Sequence, residues 1–221
     1  GDFDGDGSPD LWIGARYADH NQTNAGAAYL LLGPITSSRS VQGSDDAALK
    51  GNTSSGNFSR CLLVGDLNGD GNDDLVVHGY NAKVDENRDY AGLVFVYYGP
   101  ITSDINKADD DNKADAWARG EEEYDYFGYG MTIGDIDNDG TDDLLVGAPD
   151  HYEDSSYEGE AYIFLGGVSG NDLSPDYTWD DGASDSYTGI AMTSTDLDGD
   201  GVDDWVVGGE GANSYNGVAY V

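Results

Sequence analysis

The chain carries the same acidic nine-residue loop four times: DFDGDGSPD from Asp2, DLNGDGNDD from Asp66, DIDNDGTDD from Asp135 and DLDGDGVDD from Asp196. Every copy sets an oxygen-bearing side chain at positions 1, 3, 5 and 9. A short apolar run follows each loop: LWIG, LVVHG, LLVGAP and WVVGG. Carboxylates crowded into one tight turn repel each other unless a cation sits among them. The loops start 64, 69 and 61 residues apart, a period long enough for several strands, as in a propeller blade.

The segments between the loops repeat in phase. FSRCLLVG (58–65), FGYGMTIG (127–134) and YTGIAMTS (187–194) lead into loops two to four. AAYLLLGP (27–34), LVFVYYGP (93–100), EAYIFLGG (160–167) and VAYV (218–221) share a later slot. AALK (47–50), ADAWA (114–118) and YTW (177–179) form a weaker outer slot. The β-branched and aromatic enrichment, with Gly, Asp and Asn between runs, predicts four antiparallel strands per unit. The fold class is therefore all-β, with β-propeller blades of four antiparallel strands. The units are 1–56 (partial), 57–124, 125–184 and 185–221 (partial), together one calcium-binding repeat domain over 1–221. About three and a half repeats do not close a ring by themselves. Either additional chain closes it, or neighbouring copies cover the open blade ends.

Charge excludes some partners. With 44 acidic and 9 basic residues the formal net charge is -35, which disfavours nucleic acid and anionic membranes. The 16 Tyr, 4 Trp and 5 Phe in regular runs set the chain apart from a disordered acidic tail. Cys61 stands alone, so no internal disulfide forms, and no apolar stretch reaches membrane-spanning length.

The loops read as metal sites. The ligand sets are Asp2, Asp4, Asp6 and Asp10; Asp66, Asn68, Asp70 and Asp74; Asp135, Asp137, Asp139 and Asp143; and Asp196, Asp198, Asp200 and Asp204. A Gly at position 6 relieves the bend. Position 7 varies as Ser8, Asn72, Thr141 and Val202, as expected if its backbone carbonyl is the ligand. Calcium, up to four ions, suits this all-oxygen set. Magnesium prefers a more regular shell with retained water, and zinc prefers His or Cys. The loops open like an EF-hand, but they enter strands and lack its Glu at position 12.

The pattern FG–GD-x-[DN]-x-DG-x-DDLLVGAP, followed by a G-x-x-Y-x-F-x-G strand, resembles the FG-GAP repeat of the integrin alpha-subunit propeller and of related bacterial and archaeal surface proteins. Unit two departs from it at Asn57-Phe58-Ser59 and His78-Gly79-Tyr80, and unit four at Tyr187-Thr188-Gly189 and Gly208-Gly209-Glu210. The resemblance implies calcium on one propeller face and ligands on the other. The ligand-facing loops would then be 15–26, 81–92, 150–159 and 210–217, together with the inter-blade turns 51–56, 120–126 and 181–186. Tyr17, Tyr90, Tyr124, Tyr126, Tyr152, Tyr157 and Tyr215 lie there and offer contact area for protein or sugar. Packing between blades is the alternative role for each. His20 and His151 fall in comparable loops and read as ordinary loop residues.

The sequence thus points to a non-catalytic, extracellular or cell-surface module for adhesion or ligand recognition. Its partners would be protein or carbohydrate, with self-association through the blade ends a further possibility. Two alternatives stand beside it: a structural subunit of an extracellular filament or matrix, and an accessory domain of a secreted hydrolase. No Ser-His-Asp order, CxxC or phosphate-cradling loop stands out. Asn21, Asn52 and Asn57 head N-x-[ST] sequons, which makes them candidate glycosylation sites.

Overall fold

A computed structural model describes residues 1–221 except 39, 42, 44, 82–89, 111, 154–155, 168–172 and 212–216. It contains strands and no helix among the described residues. The first sheet holds β1 (Leu11–Ala15), β2 (Ala27–Leu31) and β3 (Ala47–Lys50). The second holds β4 (Phe58–Gly65), β5 (Asp74–Gly79), β6 (Leu93–Tyr97) and β8 (Ala116–Arg119). The third holds β9 (Met131–Gly134), β10 (Asp143–Ala148), β13 (Glu160–Phe164) and β14 (Tyr177–Trp179). The fourth holds β15 (Thr188–Thr195), β16 (Asp204–Gly209) and β17 (Val218–Tyr220). Pairing within each of these sets is antiparallel between chain neighbours. This is a partial β-propeller; the second, third and fourth acidic loops each join the first two strands of their blade, and the first loop leads into β1.

Alternation along the strands explains the stacking. On β5, Leu75 and Val77 pack toward the first sheet with Trp12, Leu30, Leu49 and Phe95. Val76, with Val94 and Val96 of β6, packs toward the third sheet with Leu144, Val146 and Phe164. A middle blade is thus apolar on both faces. For that reason its strands read as near-continuous apolar runs rather than as half-polar alternation. Blades also meet through backbone. Phe127 N–H donates to Ala91 O at 2.9 Å, and Phe58 N–H to Ala25 O at 3.0 Å. At Gly92, with φ of +83°, a Cβ would lie 2.1 Å from Phe127 O, so no other residue fits this seam.

Three features differ from the sequence expectation. The outer strands β3 and β8, the weakest in sequence pattern, are largely buried, and β3 gains a parallel neighbour, β7 (Ile105–Asn106), on its outer edge. The third blade's first strand begins at Met131 rather than Phe127. Gly130 there approaches the backbone of the fourth sheet, where a Cβ would lie 2.4 Å from Gly189 O. The polar connection after β10 carries its own short hairpin, β11 (Tyr152–Glu153) with β12 (Ser156–Tyr157).

The departures in unit two have local explanations. Ser59 adopts φ of +70° where Gly128 and Gly189 adopt +89° and +88°. Its hydroxyl donates to Ala27 O and accepts from Ala15 N–H, which ties blade two to blade one. His78 takes the place of Gly147 and is fully buried. Burial pushes its imidazole down to about 3, with Arg60 adding to the effect, so it packs as a neutral ring.

Candidate metal centres

Each loop is shaped by its own carboxylates accepting backbone N–H groups. In the second, Asp66 Oδ1 accepts from Gly69 and Asp70 (2.8 and 3.1 Å), and Asp66 Oδ2 accepts from Gly71 at 2.8 Å. Asn68 Oδ1 then accepts from Asp70, and Asp70 Oδ1 from Asn72, both at 2.8 Å. The fourth loop repeats the pattern around Asp196, Asp198 and Asp200. The first and third loops repeat it in part, with Asp2 Oδ2 accepting from Gly7 and Asp135 Oδ2 from Gly140. Gly at position 6 takes φ between +85° and +94° in all four, which tightens each turn.

Three carboxylate trios result. Ligand atoms of Asp2, Asp4 and Asp6 lie within 4.8 Å of one another, as do those of Asp135, Asp137 and Asp143, and those of Asp196, Asp198 and Asp204. Asp10, Asp139 and Asp200 fall outside these trios. The second loop has Asn68 at position 3, whose amide donates to Asp70 Oδ2 at 3.2 Å.

Position 9 does double duty. Asp74 is fully buried, and its two oxygens accept from Leu67 N–H (3.0 Å) in its own loop and Gly99 N–H (2.9 Å) beyond β6. Asp10 and Asp143 repeat this with Phe3 and Gly33, and with Ile136 and Gly166. Burial pushes Asp74 up to about 6 and Asp143 upward as well, with the N–H donors opposing the shift. Buried carboxylates beside further carboxylates, with no His or Cys among the donors, fit a hard divalent cation bound through oxygen.

Position 8 does something the sequence reading missed. Asp142 Oδ2 accepts from the N–H of Asp66, the first residue of the preceding blade's loop, at 2.9 Å. In return Asp142 N–H donates to Asp66 O at 2.9 Å. Asp73 Oδ2 accepts from Asp2 N–H at 2.9 Å, and Asp203 N–H donates to Asp135 O at 3.1 Å. The residue before position 1 must then be small: a Cβ on Gly65 would sit 2.4 Å from Asp142 Oδ2, and one on Gly134 2.5 Å from Asp203 Oδ2. The doubled Asp at the end of the second, third and fourth loops was the available signal. One carboxylate serves its own blade, and the other serves the previous one.

The FG-GAP repeat family's sequence profile matches residues 1–31 and 127–164, which contain the first and third loops. Those two stretches carry the FG-GAP repeat. Phosphatidylinositol-glycan-specific phospholipase D of Mus musculus is 34% identical over 156 residues, spanning 66% of this chain and 17% of that protein. Integrin alpha-IIb of Homo sapiens is 29% identical over 171 residues, spanning 75% of this chain and 16% of that one. The chain thus spans a small part of these relatives' length. The solved rhamnogalacturonan lyase YesW superposes with a TM-score of 0.50 at 18% identity, over 93% of this chain and 39% of that one. That likeness is one of fold.

At the opposite strand ends the chain gathers tyrosines. Tyr80 stacks on Tyr126 (centroids 5.3 Å apart) and Tyr90 on Tyr124 (5.5 Å). Tyr157 stacks on Tyr187 and meets Tyr152 edge-on. Tyr17, Tyr124, Tyr152 and Tyr157 remain exposed, while Tyr215 lies outside the described residues. The two histidines are not idle loop residues. His20 hydrogen-bonds Tyr29 Oη. His151 Nδ1 lies 3.3 Å from buried Asp125, with Glu160 3.6 Å from its Nε2. The bond to Asp125 pushes this imidazole up to about 9 against the effect of burial. Of the sequon asparagines, Asn21 and Asn57 spend their amide nitrogens on Gly51 O and Ser55 O.

Proposed function

We propose that this chain is a calcium-braced, non-catalytic recognition module that works outside the cell or at its surface. The observation that supports it best is the division of labour along the blades. Carboxylate trios recur at one strand end, and exposed tyrosines crowd the loops at the other. Calcium would be held by the four loop sets, with up to four ions. It would supply charge neutralisation and cross-linking of each turn, not chemistry. Because an ion that binds only the folded chain stabilises it by mass action, each site at a hundredfold excess over its dissociation constant adds about 2.7 kcal/mol. The ligand would be protein or carbohydrate, engaged through the Tyr-rich loops. The blade boundaries at 57, 125 and 185 belong to the same proposal.

Thermal unfolding after chelation and after calcium is restored tests the brace, with a large rise in Tm expected on restoration. An unchanged melt would sink it. Capture on arrays of extracellular proteins and glycans tests the recognition role. Turnover of an offered substrate, abolished by a single loop substitution, would overturn the non-catalytic reading. A second reading, an accessory domain of a secreted hydrolase, draws on the likeness to the phospholipase. It is favoured if the module's capture follows that of a covalently linked enzyme's substrate.

A further inference from the structure

Against 44 acidic residues the chain has only nine Lys and Arg, yet two arginines share one concavity. Arg16, at the end of β1, and Arg60, on β4, line a cavity of about 270 Å³ with Tyr17, Asn57, Tyr80 and Tyr129, and no carboxylate is among these residues. Both guanidinium groups are held over aromatic rings. Arg60 lies 4.1 Å from the Tyr129 ring centre and 5.7 Å from that of Tyr80, and Arg16 lies 4.5 Å from that of Tyr17. Stacking uses the face of the guanidinium and leaves its in-plane N–H donors for a ligand. Arg60 Nη1 makes one long bond, 3.4 Å, to Tyr129 O. Among the described residues neither arginine has a carboxylate at ion-pair distance, in a chain of net charge -35. At the same wall Asn57 Oδ1 is buried with no hydrogen-bond partner, while its amide nitrogen is engaged by Ser55 O.

We propose that this concavity binds an acidic sugar residue through its carboxylate. The paired guanidinium groups match a carboxylate by charge and by fork geometry. The Tyr17 and Tyr129 rings, both exposed, offer flat surfaces for the C–H face of a pyranose. The volume suits one ring. The surrounding negative field repels a long polyanion, so the fitting ligand is a single terminal sugar acid. This deepens the ligand-recognition reading and rests on it.

The test compares methyl glucuronide with methyl glucoside, two probes that differ in the carboxylate, titrated by NMR at fixed calcium. Calcium itself complexes uronates, so arginine variants rather than chelation carry the result. Saturable shifts are expected with the glucuronide alone. Arg16→Gln and Arg60→Gln should each weaken it about tenfold, the scale of a lost charge-assisted hydrogen bond at a half-open site. Arg60→Lys should recover part of the loss. Arg16 is exposed, so its variant keeps the test open if the Arg60 change unsettles the fold. Equal binding of the two sugars, or arginine variants that bind as the parent does, would overturn the proposal. So would tighter binding of N-acetylglutamate amide, which would assign the pocket to acidic peptides. If glucuronide fails while array capture persists, this inference alone falls. If nothing is captured, the recognition reading falls with it.

Discussion

Replacing Asp142 with alanine probes how neighbouring loops hold one another. The side chain's Oδ2 accepts from Asp66 N–H at 2.9 Å, while the return bond, Asp142 N–H to Asp66 O, is backbone and survives the change. The variant therefore strips one charged acceptor from a partly buried N–H, at a cost of about 1.5–3 kcal/mol. One effect opposes this. Burial first, and then Asp66, Asp135 and Asp73, push the Asp142 carboxyl upward, so deletion also relieves like-charge repulsion. Screened contacts of that kind return about 0.2–1 kcal/mol. The net loss is about 0.5–2.8 kcal/mol. For a chain of this length, at about 2–4 °C per kcal/mol, Tm falls by about 1–11 °C. Asp142→Asn keeps an acceptor and removes the charge, so it should lose less than half as much. Calorimetry in calcium reads both variants. Equal losses in the two, or a stabilised alanine variant, would refute the bracing role and show that charge repulsion outweighs the hydrogen bond.

Other outcomes follow from the same geometry. In chelated protein Asp74, raised to about 6 from 3.8, contributes stability below the lower value that is lost as pH rises through the upper one. The apo form should therefore melt higher near pH 5 than near pH 7, and calcium, which favours the ionised group, should flatten that slope; a flat apo profile refutes this. His151, raised to about 9 from 6.5, contributes stability below the lower value that is lost as pH rises through the upper. His151→Gln should abolish the alkaline part of the stability profile, as followed by denaturant titration across that window. Gly92→Ala places a methyl 2.1 Å from Phe127 O at φ of +83°. A loss of about 3 kcal/mol or more is expected, or failure to yield soluble folded chain; a near-neutral variant would mean the seam between blades two and three yields easily.

Much of the architecture was legible because its signals are local. DxDxDG turns and apolar runs fall within a nine- or eight-residue window, so the strand phase and loop spacing can be read directly. Other features depend on contacts across blades. The buried edge at β3 rests on Ile105, more than fifty residues away in sequence, and periodicity carries no trace of it. Ser59 in place of Gly looked like a departure from the repeat. It proved to be a positive-φ residue whose hydroxyl binds blade one. His151 gave no signal because its partner, Asp125, sits in a turn of the same blade that only folding brings near.

The sequence by itself determined that four oxygen-rich turns recur in phase, each closing on the strand that follows it. Side chains two to five residues apart shape such a turn without help from the rest of the chain. Only the tertiary structure decided what the doubled Asp that ends the second, third and fourth loops is for. Asp143 turns inward to its own blade, while Asp142, next to it, caps the loop of the blade before. Successive residues on a strand point to opposite sides, so adjacent and identical side chains meet different neighbours once the blades stack.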